Sequence, residues 1–238
     1  MNPRAVRILP LGDAALLVEL GSTMDEATNA AVLAIAERLE ALHVIGVRDI
    51  VPAYASLAVH VDPRRLDLTA CATTVRRVAD EVSAQRDTQA GHGDVVRIPV
   101  CYDADLGLDL EALAVWARCT TADVSRWHTA REYRVFMLGF LPGFAYLGPV
   151  DSRLAMPRHS RPRTKVPAGS VGIAGGQTGV YPRESPGGWQ IIGRTPVVLF
   201  DASRQPPTPF RAGNRVRFEE ISREEFDRLA VASPSRKT

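Results

Sequence analysis

A run of positive charge between Ser152 and Arg183 is the part of this 238-residue chain best suited to chemistry. The run contains no Asp or Glu, and its cationic members are Arg153, Arg158, Arg161, Arg163, Lys165 and Arg183. Crowded cations repel one another and an anion relieves that repulsion, so the run predicts a site for a small anionic or amide-bearing ligand. A solvated surface loop is the alternative for any single arginine.

Lys165 stands out within this run. It and Lys237 are the two lysines among 29 Lys and Arg residues. An arginine can bind a carboxylate or phosphate through two parallel hydrogen bonds, whereas a lysine is a point charge that can lose its proton. An ammonium among arginines therefore indicates a specific role. His159, in the same run, could titrate near neutrality if a carboxylate lies beside it.

Aromatic residues flank the charge. Phe140 and Phe144 lie in the segment GFLPGFAY, where glycines and a proline shape a turn, and Trp189 follows two glycines. These rings can form a wall over a flat ligand, and Arg194 can pair with an anion beside them. The alternatives are a well-packed strand-to-loop corner and a tryptophan that plugs one end of a barrel.

The glycine-rich segment AGGQTGVYP can present backbone amides to an oxyanion. Within it, Gln177 and Tyr181 add neutral hydrogen-bonding groups suited to an amide or a carboxylate. The segment is neither a Walker A loop nor a dinucleotide fingerprint. A barrel hairpin, where glycine is also common, is the alternative. His128 is interpreted as a structural histidine, and Ser170 lacks the context of a hydrolase nucleophile.

Periodicity predicts the elements that position these residues. Residues 1–88 alternate as ββαββα, which indicates an antiparallel or mixed sheet with two helices on one face. Ser22 or Thr23 is predicted to cap the helix that runs from about Asp25 to Leu42. A polar, glycine-bearing stretch at 87–94 marks a domain boundary, and residues 231–238 are expected to be disordered.

Residues 95–230 are predicted to form a second domain. Asp109 and Thr121 are each expected to cap a short helix. Beyond them, short apolar runs separated by Gly and Pro indicate a closed or nearly closed β-barrel. Those runs are 133–140, 169–174, 190–192, 197–200 and 215–218.

Composition excludes several classes of protein. The hydrophobic fraction of 45% and the charged fraction of 24% are typical of a soluble globular protein, and a net charge of +2 is far from a nucleic-acid footprint. Three widely spaced cysteines indicate no zinc site and a reducing compartment. We find no signal peptide or membrane span in the sequence, so a cytoplasmic location is expected.

The motifs together resemble a known family. GFLPGFAYL, PRTKVPAGSVGIAGGQTGVYP, SPGGWQIIGRTP and the opening PLGDAALLV are similar to allophanate hydrolase subunit 1, a family that includes the 5-oxoprolinase B subunit and the kinase inhibitor KipI. The resemblance covers almost the whole chain. It implies an α+β protein with a small α/β N-terminal domain and a cyclophilin-like β-barrel C-terminal domain.

The resemblance also implies an activity. A 5-oxoprolinase B subunit works with a homologous, KipA-like C subunit and with an A subunit to open 5-oxoproline to glutamate with ATP and Mg²⁺. No metal site of the chain's own is implied. Arg163 and Lys165 would be catalytic and would face a shared cleft. The substrate-binding candidates are Phe140, Phe144, Arg161, Gln177, Tyr181, Trp189 and Arg194.

Roles follow from the chemistry of a lactam, which is a stable amide until its carbonyl carbon carries a leaving group. Arg161 and Arg163 would hold a phosphate or carboxylate, while Lys165 would neutralise developing charge. The chain is expected to be inactive alone. The alternatives are a KipI-like inhibitor of a sensor histidine kinase, or a carboxyltransferase component of an allophanate hydrolase or urea carboxylase system.

Overall fold

The computed structural model describes residues 6–84 and 95–232 of the chain. It divides the chain into two compact units, 1–91 and 92–238. The predicted boundary at 87–94 lies outside the described residues, as does most of the predicted tail. Val231 and Ala232, which the sequence places in that tail, instead form the end of the last helix.

The first unit has the predicted ββαββα order. Its elements are β1 (Arg7–Pro10), β2 (Ala15–Glu19), α1 (Glu26–Ala41), β3 (Val47–Pro52), β4 (Ser56–Val61) and α2 (Leu68–Ala84). The strands form an antiparallel sheet in the order β1-β2-β4-β3. Alternate residues of β4, Leu57, Val59 and Val61, point to one face and pack with both helices, because side chains alternate along a strand.

Helix α1 begins later than its predicted cap. The Asp25 carboxylate accepts a hydrogen bond of 2.7 Å from the Thr28 backbone N–H, so Asp25 is the N-cap and the prediction of Ser22 or Thr23 is wrong. A carboxylate satisfies a free N–H at the positive end of the helix and is a strong cap for that reason. Ser22, Thr23 and Asp25 are all residue types that favour the N-cap position, so residue type alone cannot predict which of them is the cap.

The second unit contains nine strands within the described residues, together with three α-helices and a single 3₁₀ turn. Its elements are β5 (Val95–Val100), α3 (Leu110–Ala117), α4 (Thr121–Thr129), β6 (Glu132–Leu138), β7 (Ala145–Gly148), the 3₁₀ turn Ser152–Leu154, β8 (Arg163–Val166), β9 (Ser170–Ala174), β10 (Gln177–Val180), β11 (Ser185–Gly187), β12 (Gln190–Arg194), β13 (Arg215–Glu220) and α5 (Arg223–Ala232).

Seven of these strands form a nearly closed, barrel-like sheet in the order β12-β9-β10-β7-β6-β13-β5. The two outer strands of that order meet, because Cys101 and Arg194 exchange a pair of backbone hydrogen bonds, each 2.9 Å long. Apolar side chains from the strands and from α3 and α4 fill the interior. Strands β8 and β11 form a separate two-stranded sheet. The protein is therefore α+β, and its second unit is the predicted barrel.

Two local predictions for this unit are wrong. Residues 197–200 form no strand. Helix α4 is capped by Thr120, not Thr121, since the Thr120 hydroxyl accepts from the Asp123 N–H at 3.1 Å and the Asp123 carboxylate accepts from the Thr120 N–H at 3.0 Å. This reciprocal pair satisfies two N–H groups that the helix leaves free, which sets the first residue of the helix.

His128 belongs to a fully buried chain of hydrogen bonds inside the barrel. The Thr178 hydroxyl donates to the Gly172 carbonyl, so it must accept from His128 Nε2 at 2.8 Å. His128 Nδ1 then accepts from the Tyr102 hydroxyl at 2.7 Å. The imidazole ring also stacks on Phe218. These contacts agree with the interpretation of His128 as structural, and burial lowers its pKa from 6.5 to about 3.

We expect this histidine to steepen the pH dependence of stability. The unfolded chain binds a proton at His128 below about pH 6.5 and the folded chain does so only near pH 3, so this stabilisation is complete above pH 6.5 and is lost as the pH falls. The loss is about 1.4 kcal/mol per pH unit. When the free energy of unfolding is measured with urea at several pH values from 4 to 6, it should change less steeply with pH in His128→Gln than in the wild type. Equal slopes would contradict the assignment.

No helix in residues 6–84 or 95–232 is both long enough and apolar enough to span a membrane.

Candidate functional site

The predicted aromatic residues gather on the outer face of the barrel sheet. Ile191 and Ile192 are adjacent in β12 and point to opposite faces; Ile192 joins the barrel core and Ile191 joins a second, smaller cluster. This outer cluster is completed by Phe144, Tyr181 and Val166, with Leu141, Tyr146 and Trp189 packed against it. Because Val166 belongs to β8, the cluster joins the two-stranded sheet to the barrel.

Phe144 is the centre of the outer cluster. It is almost fully buried, and its ring makes edge-to-face contacts with Phe140, Tyr146, Tyr181 and Trp189 at centroid distances of 4.9 to 5.5 Å. Edge-to-face packing places the positive edge of one ring against the negative face of the next. Phe144 thus supports the other rings and is too buried to form the surface of a ligand wall, which leaves that role to Phe140 and Trp189.

Phe140 extends from this cluster into solvent. Its side chain is 59% exposed, and its backbone has a φ of +69°, in the left-handed region that non-glycine residues rarely adopt. Gly143 follows at φ +83°, where a Cβ would lie 2.9 Å from the Leu199 carbonyl oxygen. The tight turn holds an apolar ring outward at a cost in backbone strain, which favours a binding role over simple packing.

Tyr181 lies beneath the two-stranded sheet. It is 1% exposed, and burial raises its pKa to about 12, so its hydroxyl stays protonated at neutral pH. A Cβ on Gly187 would lie 2.3 Å from the Tyr181 hydroxyl oxygen. Gly187 is the cross-strand partner of Arg163, and paired residues point to the same face of a sheet. Arg163 and the Tyr181 hydroxyl therefore share one face of the β8–β11 sheet.

Arg163 is held by a carboxylate that the sequence had suggested only as a helix cap. Its Nη2 donates to Asp109 Oδ1 at 2.6 Å, and His159 Nε2 donates to the same oxygen at 3.2 Å. Asp109 Oδ2 accepts from the Ile191 backbone N–H at 2.6 Å. Asp109 precedes α3, yet its side chain makes no capping hydrogen bond, so the capping prediction is wrong for the side chain.

Asp109 is the site residue that sequence reasoning missed. Its partners lie 50 to 82 residues further along the chain, and no local pattern reports such contacts. The one signal available was His159, for which the sequence allowed a carboxylate partner without identifying one; Asp109 lies beside it. Asp109 is only 5% exposed, and a buried carboxylate is tolerated only when it is paired and hydrogen-bonded, as this one is.

The other predicted cations lie nearer to solvent. Lys165, two residues after Arg163 in β8, has a 77% exposed side chain whose Nζ lies 3.4 Å from Glu184 Oε1. Arg161 is exposed, and we see no ion pair for it within residues 6–84 and 95–232. The expected run of uncompensated charge is therefore only partly present, because Asp109 and Glu184 enter it from outside the acid-free stretch.

Two further candidate site residues lie at strand ends away from the centre of the site. Gln177 begins β10 and Tyr181 follows its last residue, so the two share a face about 13 Å apart. Arg194 ends β12 at the point where the barrel closes. Gln177 and Arg194 thus lie at the margins of the site. The residues that the geometry brings together are Arg163, Tyr181, Trp189 and Phe140.

The arrangement combines a fixed guanidinium, a protonated phenol, an exposed ring and two solvent-facing cations. Such a set can bind a small molecule that carries a carbonyl oxygen and an acidic group. Among the described residues, no group of three or more His, Cys, Asp or Glu side chains could hold a metal ion.

A family model described as the carboxyltransferase domain, subdomain C and D, matches residues 6–210. The chain belongs to this carboxyltransferase family. Its match includes every site residue discussed above, and it agrees with the family suggested by the motifs.

Relatives within the carboxyltransferase family are similar over most of this chain. The 5-oxoprolinase B subunit of Bacillus subtilis (strain 168) is 40% identical over 227 residues, which are 92% of this chain and 95% of the relative. The 5-oxoprolinase B subunit of Escherichia coli O157:H7 is 36% identical over 209 residues, 87% of this chain and 93% of the relative.

Two solved structures of similar fold are longer than this chain. TTHA0988 superimposes with a TM-score of 0.77 at 37% identity over 92% of this chain, which spans 41% of that structure's chain. The urea amidolyase of K. lactis superimposes with a TM-score of 0.76 over 95% of this chain and 16% of its own; at 19% identity it supports the fold alone.

Proposed function

We propose that this protein is the B subunit of an ATP-dependent 5-oxoprolinase and works with a homologous C subunit to open 5-oxoproline to glutamate. The observation that carries the proposal is the 40% identity, over nearly the full length of both chains, to the 5-oxoprolinase B subunit of Bacillus subtilis. The site geometry supports it, because a lactam with a carboxylate needs both amide-binding and anion-binding groups. Alone, the chain is expected to be inactive.

The exposed and buried parts of the site suit different parts of 5-oxoproline. Lys165 and Arg161 face solvent and are suited to the substrate carboxylate or a phosphate. Phe140 and Trp189 cover the apolar ring carbons, while Tyr181 orients the amide; Gln177 lies too far along its strand to share that role. Arg163, which is already bound to Asp109, lies next to the hydroxyl of Tyr181 and is suited to the reacting amide. Arg194 lies too near the barrel closure to be given a direct role.

The nucleotide phosphates and Mg²⁺ are expected to bind to different subunits. The exposed guanidinium and ammonium groups fit phosphate oxygens. The carboxylates beside them, Asp109 and Glu184, are paired with Arg163 and Lys165 and so offer no ready ligand set for Mg²⁺. We assign Mg²⁺ to the partner's side of the shared site. ATP, when bound, supplies the phosphoryl group that activates the lactam carbonyl.

The test is ring opening by the assembled complex. The chain is co-purified with a C-subunit homologue, and ATP-dependent loss of 5-oxoproline is measured. Lys165→Ala should lower kcat/KM at least about 100-fold, since it removes the charge that holds the substrate carboxylate or the phosphate through the transition state. Thermal unfolding should not change, because the Lys165 side chain is 77% exposed. The matched control is Arg228→Ala, which removes a similarly exposed cation from α5.

Four outcomes would count against the proposal. Full activity of Lys165→Ala removes the role of that residue. A pure complex without ATP-dependent ring opening removes the function itself. Tight binding to a sensor histidine kinase, with loss of its autophosphorylation, would favour the KipI-like alternative. Carboxyl transfer to urea or allophanate with a biotin-bearing partner would favour the carboxyltransferase alternative.

A further inference from the structure

The carboxylate of Asp109 accepts three hydrogen bonds from other groups of the same chain. It accepts from the Arg163 guanidinium, the His159 ring and the Ile191 backbone N–H, while its own backbone N–H donates to the Ile191 carbonyl at 2.7 Å. These bonds tie the start of α3 to β12 and to the cation-rich segment. Arg163 is consequently fixed from one side, with its orientation set by a buried group.

This pairing changes the electrostatics of the site. A guanidinium bound at 2.6 Å to a carboxylate that is 6% exposed forms a neutral pair, because the opposite charges are close together and shielded from water. An anion that approached Arg163 would meet the field of Asp109 as well. The attraction of Arg163 for phosphate or sulfate is therefore small, in contrast to the sequence prediction that it holds an anion.

Arg163 still has donor capacity to offer. Its Nη1 is buried and has no hydrogen-bond partner among residues 6–84 and 95–232. An unsatisfied buried donor costs free energy until it meets an acceptor. The Tyr181 hydroxyl lies on the same face of the β8–β11 sheet and packs closely against Gly187, which has no side chain to displace it. Two donors beside one another, with no net charge, match the lone pairs of one carbonyl oxygen.

We propose that Asp109 is a positioning residue that cancels the charge of Arg163, so that Arg163 and Tyr181 bind an uncharged amide carbonyl oxygen and not an anion. This inference rests on the proposed function in that it names the part of the lactam that binds here. The substrate carboxylate then belongs at Arg161 and Lys165. Asp109 selects the ligand class without touching the ligand.

The first test measures sulfate binding to the isolated chain by calorimetry. Arg163→Met should lower the sulfate affinity, because it leaves the negative charge of Asp109 without its partner. Asp109→Asn keeps the size and an acceptor for Ile191 but removes the negative charge, and should raise the sulfate affinity on the order of tenfold. The double variant Asp109→Asn/Arg163→Met should return to the wild-type value. A merely structural role for Asp109 predicts no gain of affinity.

The second test uses 2-pyrrolidinone, a lactam without a carboxylate, titrated by NMR. Its affinity should fall several-fold in Arg163→Met and in Tyr181→Phe. Asp109→Asn should also weaken it, because Arg163 loses the carboxylate that orients it, while Asp109→Glu should recover part of the loss because it restores a carboxylate partner.

Several results would overturn the proposal. A loss of sulfate binding in the charge-neutral double variant Asp109→Asn/Arg163→Met would show that Arg163 is an anion site in the native protein. A folded Asp109→Asn without gain in sulfate affinity would remove the charge argument, and the double variant Asp109→Asn/Arg163→Met decides the matter if Asp109→Asn alone does not fold. Absence of 2-pyrrolidinone binding at tens of millimolar would remove the carbonyl site.

Both tests use the isolated chain and need no enzymatic activity. A complex without 5-oxoprolinase activity, combined with the expected sulfate and lactam results, would reject the proposed function and leave the inference about Asp109 in place. An active complex with the opposite binding results would do the reverse.

Discussion

Phe144→Ala is expected to lower the free energy of unfolding by about 3–5 kcal/mol, the usual range when a buried phenylalanine becomes alanine. Phe144 is 1% exposed and contacts four rings, each of which loses an edge-to-face partner. The cavity would lie between the barrel and the β8–β11 sheet. Loss of support for Tyr181 should also reduce the activity of the complex beyond what stability explains.

Phe140→Ala is the matched control for this prediction, because it removes the same side chain four residues away. Phe140 is 59% exposed, so its loss should change the free energy of unfolding by only about 0.5 kcal/mol. If Phe140 covers the ligand, the KM for 5-oxoproline should rise while stability stays near the wild-type value. Urea unfolding of both variants checks the contrast, and similar losses of stability would contradict the placement of Phe144 at the cluster centre.

The fold was predictable wherever burial imposes a period. Strand β4 alternates strictly between buried and half-buried residues, and α2 repeats its buried positions every three or four residues, so both stood out in the sequence. Strands β10 and β11 did not. They are four and three residues long and contain glycines that pack under Trp189 and Tyr181, where no larger side chain would fit. A strand whose glycines let neighbouring rings pack against its backbone has few apolar side chains, so its sequence shows little alternation of apolar and polar residues.

The candidate site was predictable by composition and only partly by geometry. The residue types of Arg163, Tyr181 and Phe140 indicated a site, and the fold brings these residues together. The net charge of the site could not be predicted from the acid-free stretch alone. It depends on Asp109, which lies 54 residues before Arg163 in the chain. An acid-free stretch of sequence is thus not an acid-free region of space, and long-range ion pairs decide which cations stay available.

Gly187→Ala is expected to damage the candidate site, although it exchanges only one hydrogen for a methyl group. The new Cβ would lie 2.3 Å from the Tyr181 hydroxyl oxygen and 2.8 Å from two ring carbons, distances that force Tyr181 or strand β11 to move. Overpacking of this kind costs about 1–3 kcal/mol. Because Tyr181 and Arg163 share that face, the activity of the complex should fall at least about tenfold as well, since small displacements of binding groups have large effects on rate.

The neighbouring glycine provides the control for that exchange. A Cβ on Gly188 would have its nearest neighbour, the His159 carbonyl oxygen, at 3.5 Å, an ordinary contact, so Gly188→Ala should be close to wild type in urea unfolding and in activity. Adding Tyr181→Phe to Gly187→Ala removes the 2.3 Å contact and leaves the two at 2.8 Å, so it should restore only part of the stability. Equal stability of the two alanine variants would show that β11 does not pack against Tyr181. Arg163 and Tyr181 would then have no shared face on which to bind one oxygen atom.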